Sequence, residues 1–155
     1  MTEIPHRNPA KAYLQRYRAA LARQRSLTRS IAELRASLTG TTQALRPDPV
    51  AGSGPTDRMA DTVAKIADME AAMADELDRV QRTLHDVLEA IAAVPDETQR
   101  AVLTLRYVEG LGWTEIQERL HYERTQTYVV HGRALVEVNR WMERRETENR
   151  RLKNE

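Results

Sequence analysis

Hydrophobic residues recur about every 3.5 positions through the first 94 residues, and this period constrains the chain more than any other feature. Tyr17, Ala20, Gln24, Leu27, Ile31, Leu34 and Leu38 follow one another at alternating steps of three and four. So narrow a stripe belongs to a helix that packs along another helix. Asn8 before Pro9 supplies an N-cap followed by proline at the first helical position, and Gly40 offers a stop. Met59, Val63, Ile66, Glu70, Met73, Leu77, Val80, Leu84, Val87, Ile91 and Val94 repeat the spacing more strictly, with Glu70 the only polar member. Pro55-Thr56-Asp57 opens this second helix and Pro95 closes it; at about 1.5 Å per residue it would be nearly 60 Å long.

The two helices are joined by GTTQALRPDPVAGSGP, residues 40–55, and differ in charge. Residues 1–55 hold nine Lys/Arg against three Asp/Glu, a net of +6, and residues 56–95 hold four against nine, a net of −5. The simplest arrangement is an antiparallel hairpin, basic strand against acidic strand, although the same seam could pair helices between chains. A two-helix hairpin has two flanks and little core of its own, so self-association into a homo-oligomer is expected in either case. Residues 96–155 hold eleven charges of each sign. The overall charge of +1 therefore conceals a segregated chain.

Composition narrows the function classes. The absence of cysteine excludes disulfides, thiolate nucleophiles and Cys-ligated metals, and His6, His85, His121 and His131 have no metal-binding spacing. No nucleophile-and-base pattern or phosphate-cradling glycine loop is present. The sequence thus predicts neither an enzyme nor a protein with a metal or cofactor. Charges recur every few positions, leaving no membrane span or secretory signal pattern, so a cytoplasmic protein without membrane partners is expected.

After Pro95 the heptads stop, and five of the seven aromatic residues follow: Tyr107, Trp113, Tyr122, Tyr128 and Trp141. Aromatics bury large areas and suit a compact unit. A helix is predicted from Pro95 to about Val108, with Ala101, Val102, Leu103 and Leu105 as its apolar residues and Gly110 ending it. A short helix from Trp113 to Leu120 follows, capped by Gly112 or built on the Thr114/Gln117 spacing, and then the turn His121-Tyr122-Glu123. The last helix runs from about Arg124 to at least Trp141, with Thr127, Val130, Ala134, Leu135, Val138 and Trp141 inward, and residues 143–155 extend it as a charged tail. A short helix, a three-residue turn and a helix with a polar first turn form a helix-turn-helix, whose second helix enters the major groove of double-stranded DNA. Candidate base and backbone contacts are Arg124, Thr125, Gln126, Tyr128, His131 and Arg133. Arg106 is expected to be structural, pairing with Glu109 or Glu115, and Trp113 to pack.

The stretch LTLRYVEGLGWTEIQERL, its turn and Arg133-Ala134-Leu135 resemble the region-four helix-turn-helix of sigma factors. Arg106-Tyr107, Trp113-Thr114-Glu115-Ile116, Tyr122 and His131-Gly132-Arg133-Ala134-Leu135 more closely resemble sigma-like phage regulators of the RinA/ArpU type and related prophage proteins. Members of that group carry a helical hairpin before the helix-turn-helix, so the resemblance extends over most of the chain. It implies promoter binding and control of late phage genes inside a bacterial host cell, and leaves contact with RNA polymerase open. Two positions depart from the pattern: His121 stands where glycine usually begins the turn, and Glu123 where serine usually caps the second helix. The resulting expectation is an all-α chain, residues 1–94 a coiled-coil hairpin for oligomerisation and 95–142 a DNA-binding domain. The alternatives are a DNA-packaging protein similar to a phage small terminase, and a protein that uses the same fold to grip RNA polymerase without binding DNA.

Overall fold

The computed structural model describes residues 8–43 and 54–154, and every regular element among them is helical. The elements are α1 (Pro9–Leu14), α2 (Arg16–Gln43), α3 (Pro55–Ala92), α4 (Glu97–Leu103, continued by one π-helical turn, Thr104–Val108), α5 (Trp113–Leu120) and α6 (Arg124–Lys153). No helix among the described residues is long and apolar enough to cross a membrane. The helix passes through Gly40, which does not stop it, and residues 44–53 of the expected loop lie outside the described residues. Contacts divide the described chain into two units, one of residues 8–19 with 81–154 and one of residues 20–80. This division does not fall at Pro95, because the start of the first helix and the end of α3 contribute core to the globular part.

In the first unit, Asn8 caps α1 as its sequence position suggests: its Oδ1 accepts from the backbone N–H of Ala10 at 3.1 Å and of Lys11 at 3.4 Å. Asn139 of α6 completes the cap, accepting from the Ala10 N–H at 2.9 Å and donating to Asn8 Oδ1 at 3.3 Å. Ala10 and Leu14 are thereby seated in the core with Val87 and Ile91 of α3, Val94 just beyond its end, Leu103, Tyr107, and Leu135 and Val138 of α6. A turn at Gln15 separates α1 from α2. Pro95 lies before α4 rather than in its first turn; Asp96 is the N-cap and accepts from the Gln99 N–H at 2.8 Å. Arg100 ties down the connection between α3 and α4 by donating to the carbonyls of Val94 and Pro95, at 2.7 and 2.9 Å.

In the second unit, Arg23 pairs with Glu76 at 3.1 Å and Arg35 pairs with Glu70. One index rises as the other falls, so these parts of α2 and α3 run antiparallel. Every residue of the expected α2 stripe, from Tyr17 through Leu38, is buried or half-buried. The α3 stripe differs by one step in its middle: Ile66, Met69, Met73, Glu76 and Val80 are the sheltered residues, while Val63, Glu70 and Leu77 are exposed. Glu76 takes the inward place because Arg23 and Arg79 both reach its carboxylate, so the charge is partnered when it leaves water.

Candidate nucleic-acid interface

The segment from α4 to α6 is assembled around a few buried side chains. Ile116 is the fully buried residue of α5, and its burial is worth about 2 kcal/mol. Gly112 caps α5, with Glu115 reaching back to accept from the Gly112 N–H at 2.7 Å. Of the two capping arrangements open in the sequence, this is the one formed. After Leu120 the chain reverses through His121 at φ 54°, ψ 42°, the left-handed conformation that glycine adopts without steric cost. The Tyr122 N–H reaches the Gln117 carbonyl at 3.0 Å and closes the turn. Glu123 stands at the N-cap of α6 without a side-chain capping bond; Thr127 instead donates its hydroxyl to the Glu123 carbonyl at 3.0 Å from a fully buried position.

Beneath the first turns of α6 lies an aromatic cluster. The Trp113 ring lies 5.0 Å from Tyr128 and 4.7 Å, edge-on, from His131. Arg106 covers the Trp113 face at 4.7 Å and donates to the Leu111 carbonyl at 2.9 Å. The structural role expected of Arg106 is therefore filled through Trp113 and the loop carbonyl. The expected pairing with Glu109 or Glu115 is not the one formed: Glu109 meets Arg119, at 4.0 Å, and Glu115 caps α5. Tyr107 Oη and His131 Nε2 are 2.8 Å apart in the interior. Burial raises the Tyr107 pKa to about 12 and lowers that of His131 to about 4, nearby Lys11 and Arg106 adding to the latter shift. The phenol therefore keeps its proton and shares one hydrogen bond with a neutral imidazole, the donor being set by the ring's tautomer.

This cluster sorts the sequence-derived candidates. Arg124, Thr125, Gln126, Tyr128 and Arg133 are all exposed. At about 100° per residue, Thr125, Gln126 and Arg133 fall on the outward face of α6. Arg124 and Tyr128 lie at its edge beside Trp113, the guanidinium 5.8 Å from the Tyr128 ring. His131 is turned inward, only 8% exposed, and is removed from the contact set because its ring fills the space between Tyr107 and Trp113. It takes the inward position expected of Val130, which is only half-buried. Two residues join the outward face that charge and hydrogen-bonding capacity did not select: Val129, 45% exposed, and Val136, 48% exposed. The signal available was their spacing from Thr125 and Arg133 along one helical face.

The face is polar to apolar, with few cations. Arg140 is drawn into an ion pair with Glu137 at 2.7 Å. A second concavity of the same unit, about 560 Å³, is lined by Tyr13, Arg16, Asp86, Trp141 and Arg145. Its two arginines are matched by Asp86 and Glu89, at 3.5 and 3.0 Å, which leaves little net charge to attract an anion. Among the described residues, no group of three His, Asp or Glu is placed to hold a metal ion. No family model, curated protein or solved structure compared with the chain matches it.

Proposed function

We propose that this chain is a DNA-binding transcriptional regulator of the sigma-like phage or prophage type, acting in the cytoplasm of a bacterial host. In this reading α5, the His121 turn and α6 form a helix-turn-helix, and the antiparallel pair of α2 and α3 is a helical hairpin that brings copies together. The observation that carries the reading is the outward face of α6, where Thr125, Gln126, Val129 and Arg133 stand exposed above a first turn fixed by Ile116, Thr127 and Trp113. Gln and Arg are the side chains that read adenine and guanine edges bidentately, and a valine suits a thymine methyl. Rigid support beneath such a face is what base reading requires.

A second reading, in which the same fold grips RNA polymerase or another protein, is favoured by one specific feature. The exposed valines 129 and 136 give the face an apolar character, and Arg124 and Arg133 are its cations outside the Arg140–Glu137 ion pair. Salt titration separates the two. With about two phosphates neutralised per head, affinity for duplex DNA is expected to fall with log salt at a slope near −2 per head, far shallower than for strongly basic binders. An absence of DNA affinity at about 50 mM salt, where the electrostatic contribution is largest, would remove the DNA reading and leave the protein-partner one.

A further inference from the structure

The second unit has a thin core of its own. Among its described side chains only Ala20, Ile31 and Ile66 are buried apolar residues, and the other buried residue is the paired Glu76. Long helices gain their stability from packing an apolar face, so a helix pair with three buried apolar residues leaves that need unmet. The two flanks beside the seam differ. One carries the Arg23–Glu76–Arg79 charge cluster. The other, roughly a quarter-turn around α3 from its sheltered row, exposes Val63 at 53% and Leu77 at 47%. A shallow groove of about 280 Å³ opens on that flank, with Thr28, Ala32, Arg35 and Glu70 among its lining.

We infer that this apolar flank receives the same flank of a second copy of the chain, the two hairpins forming a four-helix bundle about a twofold axis. The argument for a second copy is self-complementarity. A twofold contact places like surface against like, so a charged flank can tolerate it only if it carries both signs of charge. Here the ion pair of Arg35 with Glu70 stands between apolar Val63 and Leu77. Rotation about the axis sets Arg35 against the partner subunit's Glu70 and the valine and leucine against each other's apolar surroundings. The valine and leucine then leave water, supplying the core that one hairpin lacks. The inference rests on the hairpin reading and is independent of DNA recognition.

Sedimentation equilibrium of the full chain without DNA, over about a hundredfold range of concentration, tests it. The expected mass is twice the 17.7 kDa of one chain. Val63→Glu combined with Leu77→Glu is expected to yield single chains of reduced helicity, because each hairpin is then left without the core that its partner supplies. Glu70→Arg alone and Arg35→Glu alone are each expected to weaken pairing about tenfold or more, because like charges then face each other across the axis. An equimolar mixture of those two variants should restore it, which keeps the test decisive if the apolar double variant fails to fold. A wild-type chain that stays single at every concentration with full helicity would overturn the pairing while leaving the hairpin intact. So would variants that pair as well as the wild type. Loss of helicity in the wild type on dilution, with no paired species at higher concentration, would instead count against the hairpin and the pairing together.

Discussion

Alanine at both Arg124 and Gln126 is expected to abolish sequence-specific retention of a DNA fragment while leaving helicity and mass unchanged. Each bidentate base contact is worth about 1–3 kcal/mol of discrimination, so losing two weakens specific binding by roughly 30-fold at the least. Both side chains are exposed, and exposed substitutions away from special features usually cost under about 0.5 kcal/mol of stability. The one contact at stake in the free protein is the Arg124 guanidinium over the Tyr128 ring, 5.8 Å away. Arg150→Ala, which removes an exposed charge paired with Glu146 in the helical tail, is the matched control and is expected to bind as the wild type does. Gel retention with competitor DNA measures the difference. Equal retention by the double variant would sink the assignment of α6 to the groove.

Acid should loosen the support beneath that helix, and His131 should carry a large part of the effect. Its imidazole is neutral in the fold, with a pKa lowered from 6.5 to about 4, first by burial and then by Lys11 and Arg106. The unfolded chain takes up this proton near pH 6.5, so the unfolded state binds more protons at every pH between the two values. The stabilisation is complete above about pH 6.5 and is lost as pH falls toward 4, at most about 1.4 kcal/mol per unit and about 3 kcal/mol in all. Protonation also places an N–H at Nε2 whichever tautomer is present, so the Tyr107 hydroxyl, 2.8 Å away, can then only accept from it. Tyr107 itself, raised to about 12, keeps its proton throughout this range and adds no slope. Urea unfolding at pH 7 and at pH 4.5 should therefore show a clear loss of stability in the wild type and a smaller loss in His131→Gln, which can still accept a hydrogen bond but does not titrate. Equal losses in the two proteins would remove His131 from the explanation.

Much of the helical order was legible because heptads and capping residues are local signals. Asn8 before Pro9, and the α5 bounds at Trp113 and Leu120, follow from side chains acting within one turn. The misread positions depend on partners far along the chain. Hydropathy ranks Leu77 above Glu76 for the seam, and Arg23, fifty-three positions earlier, joins Arg79 in making the carboxylate the buried member. His131 reads as a DNA contact until Tyr107 and Trp113 are brought around it, and Val130 reads as an inward residue although it is only half-buried beside the inward His131. The first unit mixes both ends of the sequence, because Asn8 and Ala10 meet Asn139 across about 130 positions, a pairing that no local pattern announces.

Charge segregation acquires a more specific meaning from these contacts. The basic first helix and acidic α3 are matched by Arg23 with Glu76 and Arg35 with Glu70, leaving the α6 face with little cationic attraction of its own. Exposed pairs of this kind contribute little energy individually, so their larger effect is on which helices meet and in which direction. Under the proposed function, a weak reading head would gain from being linked to another, since the second contact would then occur at high effective concentration. Selection from a pool of random duplex DNA by the full-length chain, with the mass measured in the same buffer, tests the central claim most directly. The account predicts an enriched sequence whose bases are lost from the selection by Arg124→Ala with Gln126→Ala, bound by an assembly larger than one chain. A pool that stays random at about 50 mM salt, or tight binding by a single chain, would contradict it.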